Sequence, residues 1–272
     1  MAEKHLIALD LDGTLLTDDK KISERNKRVI KKAREEGHVV MIATGRPFRS
    51  SEMYYHELQL DTPIVNFNGA FIHHPLDNSW GVHHSPLSID VAKDIVEALD
   101  DFKFYNIIAE VIDDVYVHYH DEKLMDIFNL GKPNITTGDL RRYLKASPTS
   151  MLIHSDEEDV RKIRAHLSEV HAEVIDHRSW AAPFHVVEIV KNGLNKAVGL
   201  KKASDYFQIP AERIIAFGDE DNDLEMLEYA GRGIAMGNAV ADVKNIANDM
   251  TLTNEEDGIG VYLNDLLNLK AL

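Results

Sequence analysis

Two aspartates stand close together at the end of the first apolar run of the chain. Asp10 and Asp12 are two residues apart, and Gly13 follows them. Residues two apart in an extended segment project to the same side, where two carboxylates repel each other. A cation or a proton-sharing role would relieve that repulsion. We therefore favour a functional pair over the simpler alternative, a polar strand end with an Asp-Gly turn that Gly13 permits.

A second acidic segment lies near the carboxyl end of the chain. It has the sequence GDEDND at 218–223, so four acidic residues fall within five positions after an apolar run. Hard oxygen ligands without an adjacent His or Cys suit Mg²⁺. An acidic helix start explains this segment about equally well when it is considered alone, because acids are favoured there.

Two further segments are candidates for anion binding. The first, ATGRP at 43–47, offers a hydroxyl and backbone N–H groups at a helix start. A simple helix cap is the favoured explanation of that segment by itself. The second, NGLNK at 192–196, places Lys196 at a helix start, where the helix dipole prefers anions. That mismatch suggests that Lys196 binds an anion. The simpler alternative is a solvated side chain, as most lysines at such positions are.

Alternating apolar runs and amphipathic stretches at both ends of the chain predict the elements that position these residues. Strands are predicted at 5–10, 38–44, 63–67, 213–219 and 233–236, and helices after Ser23 and at 195–207, 221–230, 239–247 and 260–269. This pattern indicates an α/β fold, with a Rossmann-like parallel-sheet core and helices on both faces. The four segments then lie at the carboxyl ends of predicted core strands, the edge where open α/β sheets bind ligands.

The middle of the chain has a different pattern. Helices mixed with adjacent strands indicate an antiparallel α+β unit there. The predicted elements are a helix at 88–99, two strands around the turn at 113–114, a strand at 149–154, a helix at 157–170 and strands at 173–177 and 185–190. We therefore predict a discontinuous core of residues 1–83 and 189–272, with an inserted α+β cap domain at 84–188.

Composition narrows the class of protein. The chain has 272 residues, a formal charge of −16 and no Cys. Without Cys it has no disulfide, thiolate nucleophile or Cys-ligated metal. The acidic balance argues against a nucleic-acid partner, and no run approaches the ~20 apolar residues that span a bilayer. We predict a soluble cytoplasmic protein with no membrane partner, as a monomer or weak homodimer.

In order and spacing, the four segments resemble the four motifs of the haloacid dehalogenase superfamily. DLDGT at 10–14 matches the first motif, DxDGT, and GDEDND matches the GDxxND form of the fourth. ATGR at 43–46 resembles the second motif and NGLNK the third. With a large insertion between the second and third motifs, the chain most resembles the Cof-type phosphatases.

The resemblance implies a role for each matched residue. Asp10 would be the nucleophile that forms an aspartyl-phosphate, and Asp12 the general acid and base. Mg²⁺ would be held by Asp10, the backbone carbonyl of Asp12 and Asp219. The remaining matched residues would bind the phosphoryl oxygens or orient the metal site. These are Leu11, Thr44, Gly45, Lys196 and Asn222 for the phosphoryl group and Asp223 for the metal site. Apart from the motif roles, Arg46 and Asn68 lie near the expected pocket mouth and are candidate substrate contacts.

The sequence thus predicts a Mg²⁺-dependent phosphatase that acts on a small phosphorylated metabolite, with a sugar phosphate as the leading class. Two alternatives stay open at this point. A phosphomutase would use the same aspartyl-phosphate and return the phosphoryl group to its substrate. A phosphometabolite-binding regulator would keep the fold without useful turnover, although Asp10 and Asp12 together argue against it.

Overall fold

A computed structural model describes residues 3–122, 128–170, 175–180 and 185–272, with the backbone alone at 175–180. In chain order its strands are β1 (Leu6–Leu9), β2 (Val39–Ile42), β3 (Ile64–Asn66), β4 (Phe71–His73), β5 (Val82–His84), β6 (Asn106–Val111), β7 (Asp114–Val117), β8 (Ile135–Thr137), β9 (Ser150–His154), β10 (Ile175–Trp180), β11 (Val186–Lys191), β12 (Ile214–Gly218), β13 (Arg232–Ala235) and β14 (Asp249–Met250).

The α-helices are α1 (Glu24–Glu35), α2 (Phe48–Glu57), α3 (Ile89–Ala98), α4 (Leu140–Tyr143), α5 (Glu157–Val170), α6 (Lys196–Phe207), α7 (Leu224–Tyr229), α8 (Ala241–Ile246) and α9 (Gly258–Leu266). Single turns of 3₁₀ helix also occur, and those at Phe67–Gly69 and Asp221–Asp223 lie next to residues of interest. The chain divides into two units, of which the first comprises Met1–Gly45, Glu52–Val82 and Asn195–Leu272 and the second Arg46–Ser51 and His83–Leu194.

The first unit contains a five-stranded parallel sheet in the order β14-β13-β12-β1-β2. Every residue of β1, β2 and β12 is buried, which explains why these strands read as continuous apolar runs. The predicted α/β fold with a parallel central sheet is confirmed. The edge strand β14 was not predicted, because it has two exposed residues and no apolar run.

Polar side chains cap the first turns of two helices of this unit. The Ser23 side chain accepts a hydrogen bond from the N–H of Asn26 at the start of α1, as the sequence predicts. Asn195 caps α6 in the same way, through the N–H of Val198. The helix predicted over 221–230 is instead a 3₁₀ turn followed by α7. The 3₁₀ turn places acidic side chains beside the end of β12 rather than along a helix.

The second unit contains a six-stranded sheet in the order β10-β11-β9-β6-β7-β8, antiparallel except for the pair β7–β8. Apolar residues of α3, α5 and the sheet form its buried core. Arg49, in the first turn of α2, forms a buried ion pair with Glu110 of β6. Residues 173–174, part of a predicted strand, lie outside the described residues. Within the described part of the chain, no helix is both long and apolar enough to cross a membrane.

The strand that precedes Lys196 corrects one expectation. The strand at 185–190 was predicted within the antiparallel α+β unit, yet NGLNK, which follows it, was also expected at the end of a core strand. β11 belongs to the antiparallel sheet of the second unit, so the second expectation is wrong. An apolar run shows that a strand is buried, whereas its hydrogen-bonding partners decide which sheet it joins. Lys196 is positioned by the cap of α6 and not by the end of a core strand.

Candidate active site

A buried ion pair lies at the carboxyl end of β1. The Asp10 side chain follows β1, and the Lys196 Nζ donates to its Oδ1 over 2.6 Å. Lys196 is fully buried and Asp10 is 5% exposed. Burial raises the pKa of Asp10 well above its usual value, against the opposing charge of Lys196, and the carboxylates of Asp223 and Asp219 raise it further. Asp10 therefore lies in an excess of negative charge.

Lys196 joins Asp10 to a second carboxylate. Its Nζ also donates to Asp223 Oδ1 over 2.7 Å, and Asp223 Oδ2 accepts the N–H groups of Asp219 and Glu220 at 3.0 and 3.2 Å. Burial alone would lower the pKa of Lys196, but the two carboxylates outweigh it and hold the pKa above its usual value. Lys196 consequently remains an ammonium.

Asp219 supplies the third buried carboxylate. Its Oδ1 accepts a hydrogen bond from Thr14 Oγ1 over 2.6 Å. Its other oxygen lies so close to Gly13 that a side chain at position 13 would place a Cβ 2.1 Å away, so the glycine is required there. Burial, and then the charge of Asp223, raise the pKa of Asp219 from 3.8 to about 7 despite the Thr14 hydrogen bond.

The three carboxylates fit a divalent cation. Asp10, Asp219 and Asp223 are all buried and offer oxygens within 4.8 Å of one another. Three carboxylates and one ammonium sum to −3 + 1 = −2, a charge that costs free energy when it is buried without compensation. The same burial and mutual repulsion of the carboxylates raise the pKa values of Asp10 and Asp219. A doubly charged cation with a preference for oxygen ligands, such as Mg²⁺, would balance the cluster.

Asp12 does not belong to this cluster. Its side chain is 42% exposed and pairs with the Lys20 Nζ over 2.8 Å. The expectation that Asp10 and Asp12 share one side rested on strand geometry, but β1 ends at Leu9 and the chain turns at Leu11. Asp12 therefore lies near the surface and is paired with Lys20, whereas Asp10, close to it in sequence, is buried.

Among the remaining sequence candidates of the first unit, Gly45 and Asn222 are half-buried and the others are buried. Leu11 and Thr44 are almost completely buried, and Asn68 is 1% exposed. The Thr44 carbonyl accepts the N–H of Asn68 at 3.2 Å, and Asn222 Nδ2 donates to Asn68 Oδ1 over 3.1 Å. Gly45 follows Thr44 and packs against the Asn68 amide. The segments 43–45, 67–69 and 221–223 therefore meet at one place.

Arg46 belongs to the second unit of the chain. Its Nη1 donates to the carbonyl of Ser50 over 3.2 Å. Sequence reasoning missed two contacts of the site. Thr14 could have been found, because it belongs to the DxDGT motif, whereas the pairing of Lys20 with Asp12 has no motif to indicate it.

Comparisons with known proteins identify the family of this chain. Residues 7–263 match a family model described as haloacid dehalogenase-like hydrolase. The chain is 61% identical over 265 residues to 5-amino-6-(5-phospho-D-ribitylamino)uracil phosphatase YitU of Bacillus subtilis, which covers 97% of this chain and 98% of that relative. It is 30% identical over 288 residues to the phosphatase YwtE of the same organism, named for the same substrate, over 96% of this chain and 97% of that relative.

A solved structure with the same fold is that of TM0651 from Thermotoga maritima. The two chains are 28% identical, and the match covers 97% of each with a TM-score of 0.82. The family match over nearly the whole chain and the named relatives agree with the motifs of the sequence. The chain belongs to the haloacid dehalogenase-like hydrolases, in the Cof-type branch, and is a phosphatase of small phosphorylated metabolites.

Proposed function

We propose that this protein hydrolyses a phosphate monoester in two steps through an aspartyl-phosphate on Asp10, with Mg²⁺ as its cofactor. The observation that carries the proposal is the buried cluster in which Lys196 bridges Asp10 and Asp223 beside Asp219. A cluster with an uncompensated charge of −2 is costly to fold, and such cost is expected where a site is built for function.

In the first step, an oxygen of the Asp10 carboxylate forms a bond to phosphorus and the bond from phosphorus to the substrate oxygen breaks. The departing oxygen takes a proton from Asp12. In the second step, water attacks phosphorus, Asp12 accepts its proton, and inorganic phosphate leaves with the Asp10 carboxylate regenerated. In the structure the Asp12 side chain is half-exposed and paired with Lys20.

The other residues bind and orient. Lys196 holds the Asp10 carboxylate in place and contributes a positive charge next to the transferring group. Thr44, the N–H groups of Gly45 and Leu11, and Asn222 would bind phosphoryl oxygens. Bound Mg²⁺ would neutralise negative charge on Asp10, Asp219 and the phosphoryl group, with the carbonyl of Asp12 as a further ligand.

Asp223 would orient this site rather than bind the metal. One of its oxygens accepts from Lys196 and the other accepts two backbone N–H groups of the 219–220 segment. These contacts fix the position of Asp219, which the sequence analysis assigned as the metal ligand. The cap boundaries at 84 and 188, a cytoplasmic location and a monomer or weak homodimer remain predictions from the sequence.

For the substrate we propose 5-amino-6-(5-phospho-D-ribitylamino)uracil. The support is the 61% identity to a relative named for it. The compound carries its phosphate on a ribityl chain, and so it is close to the sugar phosphates that the sequence analysis favoured.

The test is release of inorganic phosphate from this compound and from a panel of sugar phosphates, with Mg²⁺ or with a chelator. Asp10→Asn is the inactive variant, and Asp19→Asn is its matched control, since Asp19 is exposed and only nine residues further along the chain. We expect release by wild type and Asp19→Asn alone, only with Mg²⁺, and fastest from the uracil compound. An isomerised product without free phosphate, or release by Asp10→Asn, would contradict the proposal.

A further inference from the structure

The turn at 67–69 has an unusual backbone. Phe67, Asn68 and Gly69 have φ angles of 49°, 51° and 98°, so three successive residues occupy the left-handed region. This region is disfavoured for residues with a Cβ, and a bulky aromatic residue such as Phe is rarely found there. Backbone strain of this kind persists only where surrounding contacts hold it, and it is concentrated at functional sites.

The contacts that hold the turn come from the motif segments themselves. The N–H of Asn68 donates to the Thr44 carbonyl at 3.2 Å, which ties the turn to the second motif. Its Oδ1 accepts from Asn222 Nδ2 at 3.1 Å, which ties it to the fourth. Asn68 is 1% exposed, and its bond with Asn222 is partly buried because the Asn222 side chain is only half-buried.

Close packing adds a third link and explains two glycines. A Cβ on Gly69 would lie 2.3 Å from the carbonyl oxygen of Asn195, the residue that caps α6 immediately before Lys196. A Cβ on Gly45 would lie 3.2 Å from the Asn68 Nδ2 and 3.3 Å from its Oδ1. The turn therefore touches the segments of the second, third and fourth motifs at once.

We propose that Asn68 is a positioning residue that sets the spacing of the phosphate-binding groups of Thr44, Gly45 and Asn222. Asn suits this role for two reasons. It tolerates the left-handed backbone better than most residues, and its short amide supplies the acceptor that orients Asn222. This inference rests on the proposed function, and it replaces the expectation from sequence that Asn68 contacts the substrate.

The test compares Asn68→Gly with Gln208→Gly. Gly keeps the left-handed backbone and removes the amide, and Gln208 is a left-handed residue at the end of α6 with a φ of 54°. We expect Asn68→Gly to stay folded, with a lower unfolding midpoint because a buried amide and its hydrogen bond are lost. Per folded molecule it should lose about tenfold in kcat/KM, a typical coupling within one hydrogen-bonded network. Gln208→Gly should keep wild-type kinetic constants. An Asn68→Gly variant with unchanged kcat/KM per folded molecule would overturn the proposal.

A second substrate separates positioning from substrate contact. A residue that positions the phosphate-binding groups affects every phosphate monoester, so the loss should be equal for the uracil compound and for p-nitrophenyl phosphate. A loss restricted to the uracil compound would overturn the proposal in favour of direct contact with the leaving group. If wild type hydrolyses no ester, the proposed function fails. The role of Asn68 is then tested by the rise in unfolding midpoint that inorganic phosphate with Mg²⁺ produces. This rise should be smaller in Asn68→Gly than in wild type, and an equal rise would overturn the proposal.

A double-mutant cycle tests the contact between Gly45 and Asn68. Gly45→Ala keeps the backbone N–H but displaces the Asn68 amide, so it should lower kcat/KM in the wild-type background. In the Asn68→Gly background the added methyl meets no amide, and the further loss should be much smaller. Additive effects of the two substitutions would contradict a role for Asn68 in placing the Gly45 segment.

Discussion

Replacing Asp219 by Asn should stabilise the metal-free protein at neutral and alkaline pH. The pKa of Asp219 is raised from 3.8 to about 7, chiefly by burial. The carboxyl group of the folded protein thus keeps its proton between these values, while that of the unfolded chain loses it. The folded state is penalised as the pH rises from 3.8 to about 7, and the penalty is constant above that range.

The size of the effect follows from the shift. Above pH 7 the difference is 7 − 3.8 = 3.2 units, which at ~1.36 kcal/mol per unit is about 4 kcal/mol. At about pH 5 the same reasoning gives about 2 kcal/mol. The Asn variant loses part of the Thr14 hydrogen bond, ~1 kcal/mol. We therefore expect it to exceed wild type by about 3 kcal/mol at about pH 8 and by about 1 kcal/mol at about pH 5.

Urea unfolding in a chelator, repeated at both pH values and with Mg²⁺, measures these differences. Mg²⁺ at ~100 times its Kd should stabilise wild type by ~2.7 kcal/mol and the variant by much less. In wild type, cation binding displaces the Asp219 proton, so its apparent affinity for Mg²⁺ should fall about tenfold per pH unit below 7. A variant that is no more stable than wild type at about pH 8, or that gains as much from Mg²⁺, would refute the account of this site.

Two buried cations, Lys196 and Arg49, give further predictions. Lys196→Met leaves Asp10 and Asp223 buried without their cation and should cost ~3–5 kcal/mol of unfolding free energy in a chelator. Stability equal to wild type in urea would contradict this. Arg49→Met leaves Glu110 buried without its partner and should cost ~3 kcal/mol near neutral pH. Burial already raises the pKa of Glu110 against the charge of Arg49, so this loss should shrink as the pH falls and Glu110 takes up a proton. A loss independent of pH in urea titrations would argue against this cause.

The sequence predicted those parts of the site that depend on periodicity and on motif spacing. Buried strands before Asp10 and Asp219 read as apolar runs, and parallel strands bring their carboxyl ends to one edge. Ser23 was recognisable as a helix cap because a short polar side chain at this position bonds a first-turn N–H group. Such features are local, and a single sequence contains them.

The features that sequence reasoning missed depend on contacts between distant residues. Lys20 reaches Asp12 from a turn in which it has a φ of 58°, a conformation that its residue type does not predict. The left-handed backbone of Phe67 is equally unexpected from its side chain.

The most direct test of the central claim is detection of a phosphoryl group on Asp10. Wild type is mixed with substrate and Mg²⁺ and quenched in acid during turnover, and the peptide that contains Asp10 is examined by mass spectrometry, with Asp10→Asn and Asp19→Asn treated identically. The account predicts an acid-stable, alkali-labile phosphoryl group on this peptide in wild type and Asp19→Asn, and neither the group nor phosphate release in Asp10→Asn. Phosphate release that persists in Asp10→Asn, with no phosphoryl group on the wild-type peptide, would contradict it.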